Sequence, residues 1–161
     1  MSNMIRVGMA DYKICRPPQK ISTLGLGSCL GVVLYDRRSK ICGLAHVMMP
    51  SSQLIRKNAN RMKFVDTCLE DMLKELMEHG SSKANMIAKM AGGAQMFVNQ
   101  NTHNMLNIGQ QNIQAVHDLL SEWKIPLVAE DVGNNYGRTI EFDPATGELM
   151  IRSIGVGDTV I

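Results

Sequence analysis

The sequence predicts an α+β layered domain, and three observations carry that reading. Short apolar runs bounded by Gly, Pro and Asn/Asp turns fill both ends of the chain. Two stretches nearer the middle, ending at Gly80 and before Pro126, instead repeat their apolar residues at helical spacing. No repeat, linker or low-complexity segment interrupts the sequence, so residues 1–161 read as one domain.

The elements follow in order. Alternating apolar positions over 4–14, interrupted at Gly8, predict one or two short strands before Arg16-Pro17-Pro18 breaks the pattern into a loop. Ile21 to Leu24 reads as another short strand, and Gly25-Leu26-Gly27-Ser28 leads through a tight connection to Cys29. Leu30 to Tyr35 is apolar and β-branched, Asp36 to Lys40 is polar, and Ile41 to Met48 is apolar again, which predicts a hairpin. After a polar loop over 50–58, Val65, Leu69, Met72, Leu73 and Leu76 predict a helix over 58–79. Ala84 to Met90 predicts a buried strand stopping at Gly92-Gly93, read as a turn, and 101–109 a polar loop. Ile113, Val116, Leu119, Leu120 and Trp123 form one face of a second helix. Strands over 127–132, 138–142 and 148–154 complete the chain, joined by turns at Gly133-Asn134-Asn135 and Asp143 to Gly147.

Composition excludes several classes. Hydrophobic residues at 45% and charged residues at 20% match ordinary soluble usage and argue against disorder. The 17 basic and 15 acidic residues are scattered, so nucleic acid is not an expected partner. No segment approaches the roughly 20 apolar residues that span a bilayer, and no charged-then-apolar leader opens the chain. A cytoplasmic protein is therefore expected, with Cys15, Cys29, Cys42 and Cys68 as free thiols. Zinc needs clustered ligands; the nearest grouping, Cys29, Cys42 and His46, lacks a fourth, so neither metal nor cofactor is called for. Thirteen methionines fill core gaps or serve an adaptable binding surface.

Gly27-Ser28-Cys29 is the most informative local feature. A nucleophile is often presented on a Gly-containing bend, where backbone N–H groups can face a developing oxyanion. A small buried cysteine opening a core strand accounts for the same tripeptide. If 30–35 pairs with 41–47 about a turn near Arg38, residue 29 lies opposite 46 or 47, bringing the Cys29 thiol and the His46 imidazole to one end of the hairpin. A one-residue slip would send them to opposite faces, and His46 would then be a hydrogen-bonded histidine at a strand end. Thr23, on the strand entering the bend, is placed to hold the other imidazole nitrogen, though a β-branched strand residue needs no such role. His79, His103 and His117 suit solvated or capping roles, and the remaining cysteines read as structural. Met96-Phe97 sets two apolar side chains beside the Gly-rich bend, as a contact patch or as core.

Taken together, several stretches resemble the CheD family of chemoreceptor glutamine deamidases. They are Thr23-Leu-Gly-Leu-Gly-Ser-Cys29 with Gly31 to Asp36, Gly43-Leu-Ala-His46 with Pro50, Lys89 to Phe97, Ile108-Gly109 with Asn112-Ile113, and Glu130-Asp131-Val132-Gly133 with Gly137-Arg138. They span nearly the whole chain in the expected order; Asn134 departs from the pattern, standing where a second glycine often follows. The resemblance implies a three-layer α/β/β sandwich in which Cys29, His46 and Thr23 act together and backbone amides near Ser28 and Cys29 form the oxyanion site. It also implies methyl-accepting chemotaxis receptors as substrate and the CheC phosphatase as a second partner; Met96 and Phe97, beside the Gly-rich bend, are the candidate partner-contact residues. A non-catalytic adaptor binding CheC and receptors is the alternative, and a general thiol peptidase a third class for which the short chain leaves little room.

Overall fold

The computed structural model describes residues 3–54, 60–96 and 107–161. Ten strands build two mixed five-stranded sheets, and two helices cover one of them. The first sheet has the order β1 (Met4–Val7), β3 (Lys20–Leu26), β8 (Arg138–Asp143), β9 (Glu148–Ser153), β10 (Gly157–Val160). The second has the order β2 (Asp11–Cys15), β5 (Cys42–Val47), β4 (Leu30–Asp36), β6 (Met86–Gly92), β7 (Leu127–Val132). Helices α1 (Val65–Glu78) and α2 (Ile108–Trp123) pack on the second sheet, giving the α/β/β layering.

The central strands explain their own composition. Every residue of β4 and β5 is buried, because this sheet is covered on both faces, so neither strand shows polar alternation. Leu30, Val32 and Leu34 face the helices, meeting Val65, Leu69, Met72 and Val116. Val33, Tyr35 and Leu44 face the first sheet, where the Tyr35 and Phe142 rings meet edge to face at 5.1 Å. The first sheet has one covered face, and β9 alternates accordingly, burying Leu149, Ile151 and Ser153 while Glu148, Met150 and Arg152 face out.

Four expectations need correction. The helix predicted over 58–79 spans Val65–Glu78, with 55–59 outside the described residues. Before it, Asn60 caps a short 3-10 turn, Arg61–Lys63, and Phe64 is extended so that the Val65 N–H can reach the Met49 carbonyl at 2.9 Å. The second helix starts at Ile108, capped by the Asn107 side chain, so only Asn107 of the described part of the predicted 101–109 loop lies outside it. The strands within 4–14 lie in different sheets, and a further strand, β10, closes the C-terminal region. Finally, the hairpin register is shifted: Leu30 pairs with Val47 and Gly31 with His46. The Asp36 carboxylate accepts the Arg38 and Ser39 amides while Lys40 adopts positive φ, which lengthens the turn and moves its centre past Arg38.

Gly31 sets how closely the sheets approach beside His46. A Cβ there would lie 2.4 Å from the Ile140 Cδ1 and 3.2 Å from the Leu26 Cδ1. Gly31→Ala should therefore cost about 1–3 kcal/mol of unfolding free energy, and Ile140→Val should recover part of it. Denaturant melts of the single and double variants measure both, and strictly additive losses would show that the two positions do not share this space.

Candidate active site

The Cys29 bend is where the chain crosses between sheets. β3 ends in the first sheet at Leu26, residues 27–29 turn, and β4 begins in the second at Leu30. An antiparallel strip of backbone beyond β6 holds the turn: the Gly93 N–H donates to the Cys29 carbonyl at 2.9 Å and the Ala94 N–H to the Gly27 carbonyl at 2.8 Å. Only glycine suits position 92, whose φ is +114° and where a Cβ would fall 2.3 Å from the Cys29 oxygen. The Gly92-Gly93 turn is thus also the cradle of the bend. Neither the Ser28 nor the Cys29 amide donates to a carbonyl among the described residues, and the Cys29 amide lies against its own thiol.

His46 is 1% exposed on β5, with its side chain turned towards the first sheet. There its Nδ1 lies 2.7 Å from the Thr23 Oγ1, and the Thr23 hydroxyl donates to the Val7 carbonyl at 2.8 Å. With the single hydroxyl hydrogen committed to Val7, the hydrogen-bond network assigns the imidazole hydrogen to Nδ1 and a lone pair to Nε2. Nε2 is buried and has no hydrogen-bond partner among the described residues. The unpaired basic nitrogen is the chemically distinctive atom of this region.

Cys29 and His46 are diagonal neighbours. Across β4 the residue opposite His46 is Gly31, across β2 it is Asp11, and Cys29 precedes Gly31 by two residues in the same inter-sheet layer. Burial pushes the Cys29 thiol above its ordinary value, which its own amide offsets only in part. Burial likewise holds the His46 imidazolium below its ordinary value. Both shifts favour a neutral thiol and a neutral imidazole.

Asn112 and Arg138 escaped the sequence reading. Asn112, fully buried on α2, donates from Nδ2 to the Ser28 carbonyl at 3.0 Å and the Met48 carbonyl at 3.1 Å. The fully buried Arg138 donates to the Gly133 carbonyl at 3.0 Å and the Asp131 carboxylate at 3.0 Å, stacks 4.6 Å from the Tyr136 ring, and reaches towards the Gly92 carbonyl at 3.4 Å. The available signal was a polar residue, Asn112, at helical spacing from the apolar stripe of Ile113, Val116 and Leu120.

The other singled-out residues lie apart from this chemistry. Met96 is exposed beside the bend, with its Cγ 3.1 Å from where a Gly27 Cβ would lie; Phe97 and His103 lie outside the described residues. His79 caps α1 and His117 pairs with Glu130 at 3.0 Å on the surface. Cys15 and Cys42 face each other across β2 and β5 with sulfurs 3.6 Å apart, and Cys68 is buried under α1. Among the described residues no three histidine, cysteine or carboxylate side chains converge as a metal-ligand set.

A family model described as CheD chemotactic sensory transduction matches residues 48–153. A Lachnoclostridium phytofermentans protein named probable chemoreceptor glutamine deamidase CheD is 48% identical over 155 residues, covering 96% of each chain. Proteins named chemoreceptor glutamine deamidase CheD from Halalkalibacterium halodurans and Bacillus licheniformis are 48% and 49% identical, the first covering 100% of both chains and the second 99% of this chain and 96% of its own. Among solved structures, the hypothetical protein YfiH of Bacillus licheniformis superposes on 75% of this chain and 49% of its own, with a TM-score of 0.46 and 16% identity.

The buried neutral imidazole has a thermodynamic signature. Unfolded, His46 takes up its proton around the ordinary value of 6.5; folded, it does so at lower pH. As pH falls below that value the unfolded chain binds more protons, so stability is lost. Between pH 7 and pH 5 the wild type should lose more unfolding free energy than His46→Gln, as read by denaturant melts across that range. Parallel profiles for the two proteins would contradict the shift.

Proposed function

The chain belongs to the CheD family, and from that premise we propose that it is a protein-glutamine glutaminase, converting glutamine side chains of methyl-accepting chemotaxis receptors to glutamate with Cys29 as nucleophile. The observation that carries this reading is the Nε2 of His46, unpaired among the described residues, fixed in tautomer by Thr23 and diagonal to a thiol on a bend whose Ser28 and Cys29 amides donate to no carbonyl among those residues. The names of the full-length relatives supply the substrate class.

In this reading the substrate carboxamide enters over the bend with its oxygen on the Ser28 and Cys29 amides. His46 Nε2 takes the thiol proton as sulfur attacks the carboxamide carbon, and the amides receive the negative charge that forms on oxygen. Collapse of the tetrahedral intermediate expels ammonia, protonated by the imidazolium. Neutral His46 then takes a proton from water, whose oxygen attacks the thioester; the receptor keeps a glutamate and Cys29 is restored. Thr23 steadies the imidazole throughout by accepting from Nδ1, and no step needs a cofactor.

We also assign CheC as a partner, with the exposed Met96 at the mouth of the bend supporting a contact there and Phe97 adjoining it in sequence. No helix among the described residues is long and apolar enough to cross a membrane. Action on receptors from the cytoplasm accords with four free thiols.

Mass spectrometry of a receptor cytoplasmic fragment incubated with this protein should show individual glutamines becoming glutamate. Cys29→Ala and His46→Ala should abolish the conversion, and Thr23→Val should reduce it by roughly 10–100-fold, since an orienting group is partly replaceable. Unchanged glutamines with the wild type, together with CheC binding, would replace the enzyme by an adaptor; backbone cleavage would replace it by a peptidase.

A further inference from the structure

We infer that Asn112 is a positioning residue, whose side-chain amide clips the Cys29 bend to the strand carrying His46 and so sets the distance between thiol and imidazole. The inference rests on the Cys29–His46 reading above. It starts from where the backbone ladder stops: β4 and β5 pair as far as Leu30 with Val47. One step beyond, Ser28 precedes the nucleophile and Met48 follows Val47 by one residue. Their carbonyls have no strand partner to join them, and both accept from the one Asn112 Nδ2. The amide thus continues, through a side chain, the pairing that the bend interrupts.

Two further observations support a role beyond packing. Both near contacts of the amide are carbonyls, so the nitrogen must face them, and Oδ1 is left buried without a partner among the described residues. An apolar residue of similar size would avoid that burial cost but leave the Ser28 and Met48 carbonyls without this donor, so the amide is kept for the two carbonyls it joins. Its seat is also specific: Gly109, one turn earlier on α2, lies so close to the 93–94 strip that a Cβ would fall 2.4 Å from the Gly93 oxygen. The same strip that holds the Cys29 and Gly27 carbonyls therefore positions the helix that holds Ser28.

The experiment compares the wild type, Asn112→Leu and His46→Ala by the pH profile of Cys29 alkylation with iodoacetamide, and the first two by kcat and KM on the receptor fragment. Asn112→Leu should melt lower than the wild type yet stay folded at the assay temperature, shift the alkylation profile towards that of His46→Ala, and lower kcat by roughly 100-fold with KM unchanged. A wild-type profile and kcat in Asn112→Leu would overturn the clip. If His46→Ala itself leaves the alkylation profile unchanged, it is the thiol–imidazole reading that fails. Should Asn112→Leu not fold, the wild type decides: the Asn112 side-chain NH₂ should exchange slowly with solvent by NMR, and exchange at the free-amide rate would overturn the inference.

Discussion

The hydrogen bond between Thr23 and His46 is the constraint on which the site depends, because it joins the two sheets at the end where the chain crosses between them. It can form only if the sheets come close, and they do so beside a residue with no side chain: Gly31 lies opposite His46, with Ile140 and Leu26 filling the space. Val7 extends the chain of bonds into the neighbouring strand, so three strands from two sheets fix one imidazole. A ring held on strands keeps its geometry better than one held on loops.

The thiol is held differently. Cys29 lies outside the ladder, on a bend whose carbonyls are taken by Gly93, Ala94 and Asn112 while its Ser28 and Cys29 amides donate to no carbonyl among the described residues. This division suits acyl chemistry: acceptors are used to hold the backbone, and donors are kept for a charge that exists only during reaction. Burial, which raises the thiol and lowers the imidazolium, keeps the pair neutral at rest.

Much of the fold was legible because burial writes periodicity into sequence. Val65, Leu69, Met72, Leu73 and Leu76 recur at helical spacing since one stripe of α1 meets the sheet, and all five are buried. The start of that helix was not legible, because extended Phe64 answers to the Met49 carbonyl, a partner 16 residues back from Val65. Two strands within 4–14 could be read, but not their sheets, since short apolar runs carry no label for a partner. At the site, residue types marked the Gly27-Ser28-Cys29 bend, while the counted hairpin register missed because Asp36 and Lys40 reshape the turn. The place of Asn112 beside the buried stripe of α2 could be read, but not its role: its partners are two carbonyls, which leave no trace in side-chain pattern.

By itself, therefore, the sequence determined the local facts: where chain segments are extended or helical, where glycine permits a bend, and that a thiol stands on one such bend between two strands. Tertiary structure alone decided which sheet each strand joins, that Gly31 rather than Cys29 faces His46, and that Thr23 and Asn112 close around them. The physical reason is range. Propensity and periodicity act over a few residues, whereas the imidazole tautomer and the seat of the bend depend on atoms from residues 7, 23, 46, 48, 93 and 112, which only the packing of two sheets and a helix brings together.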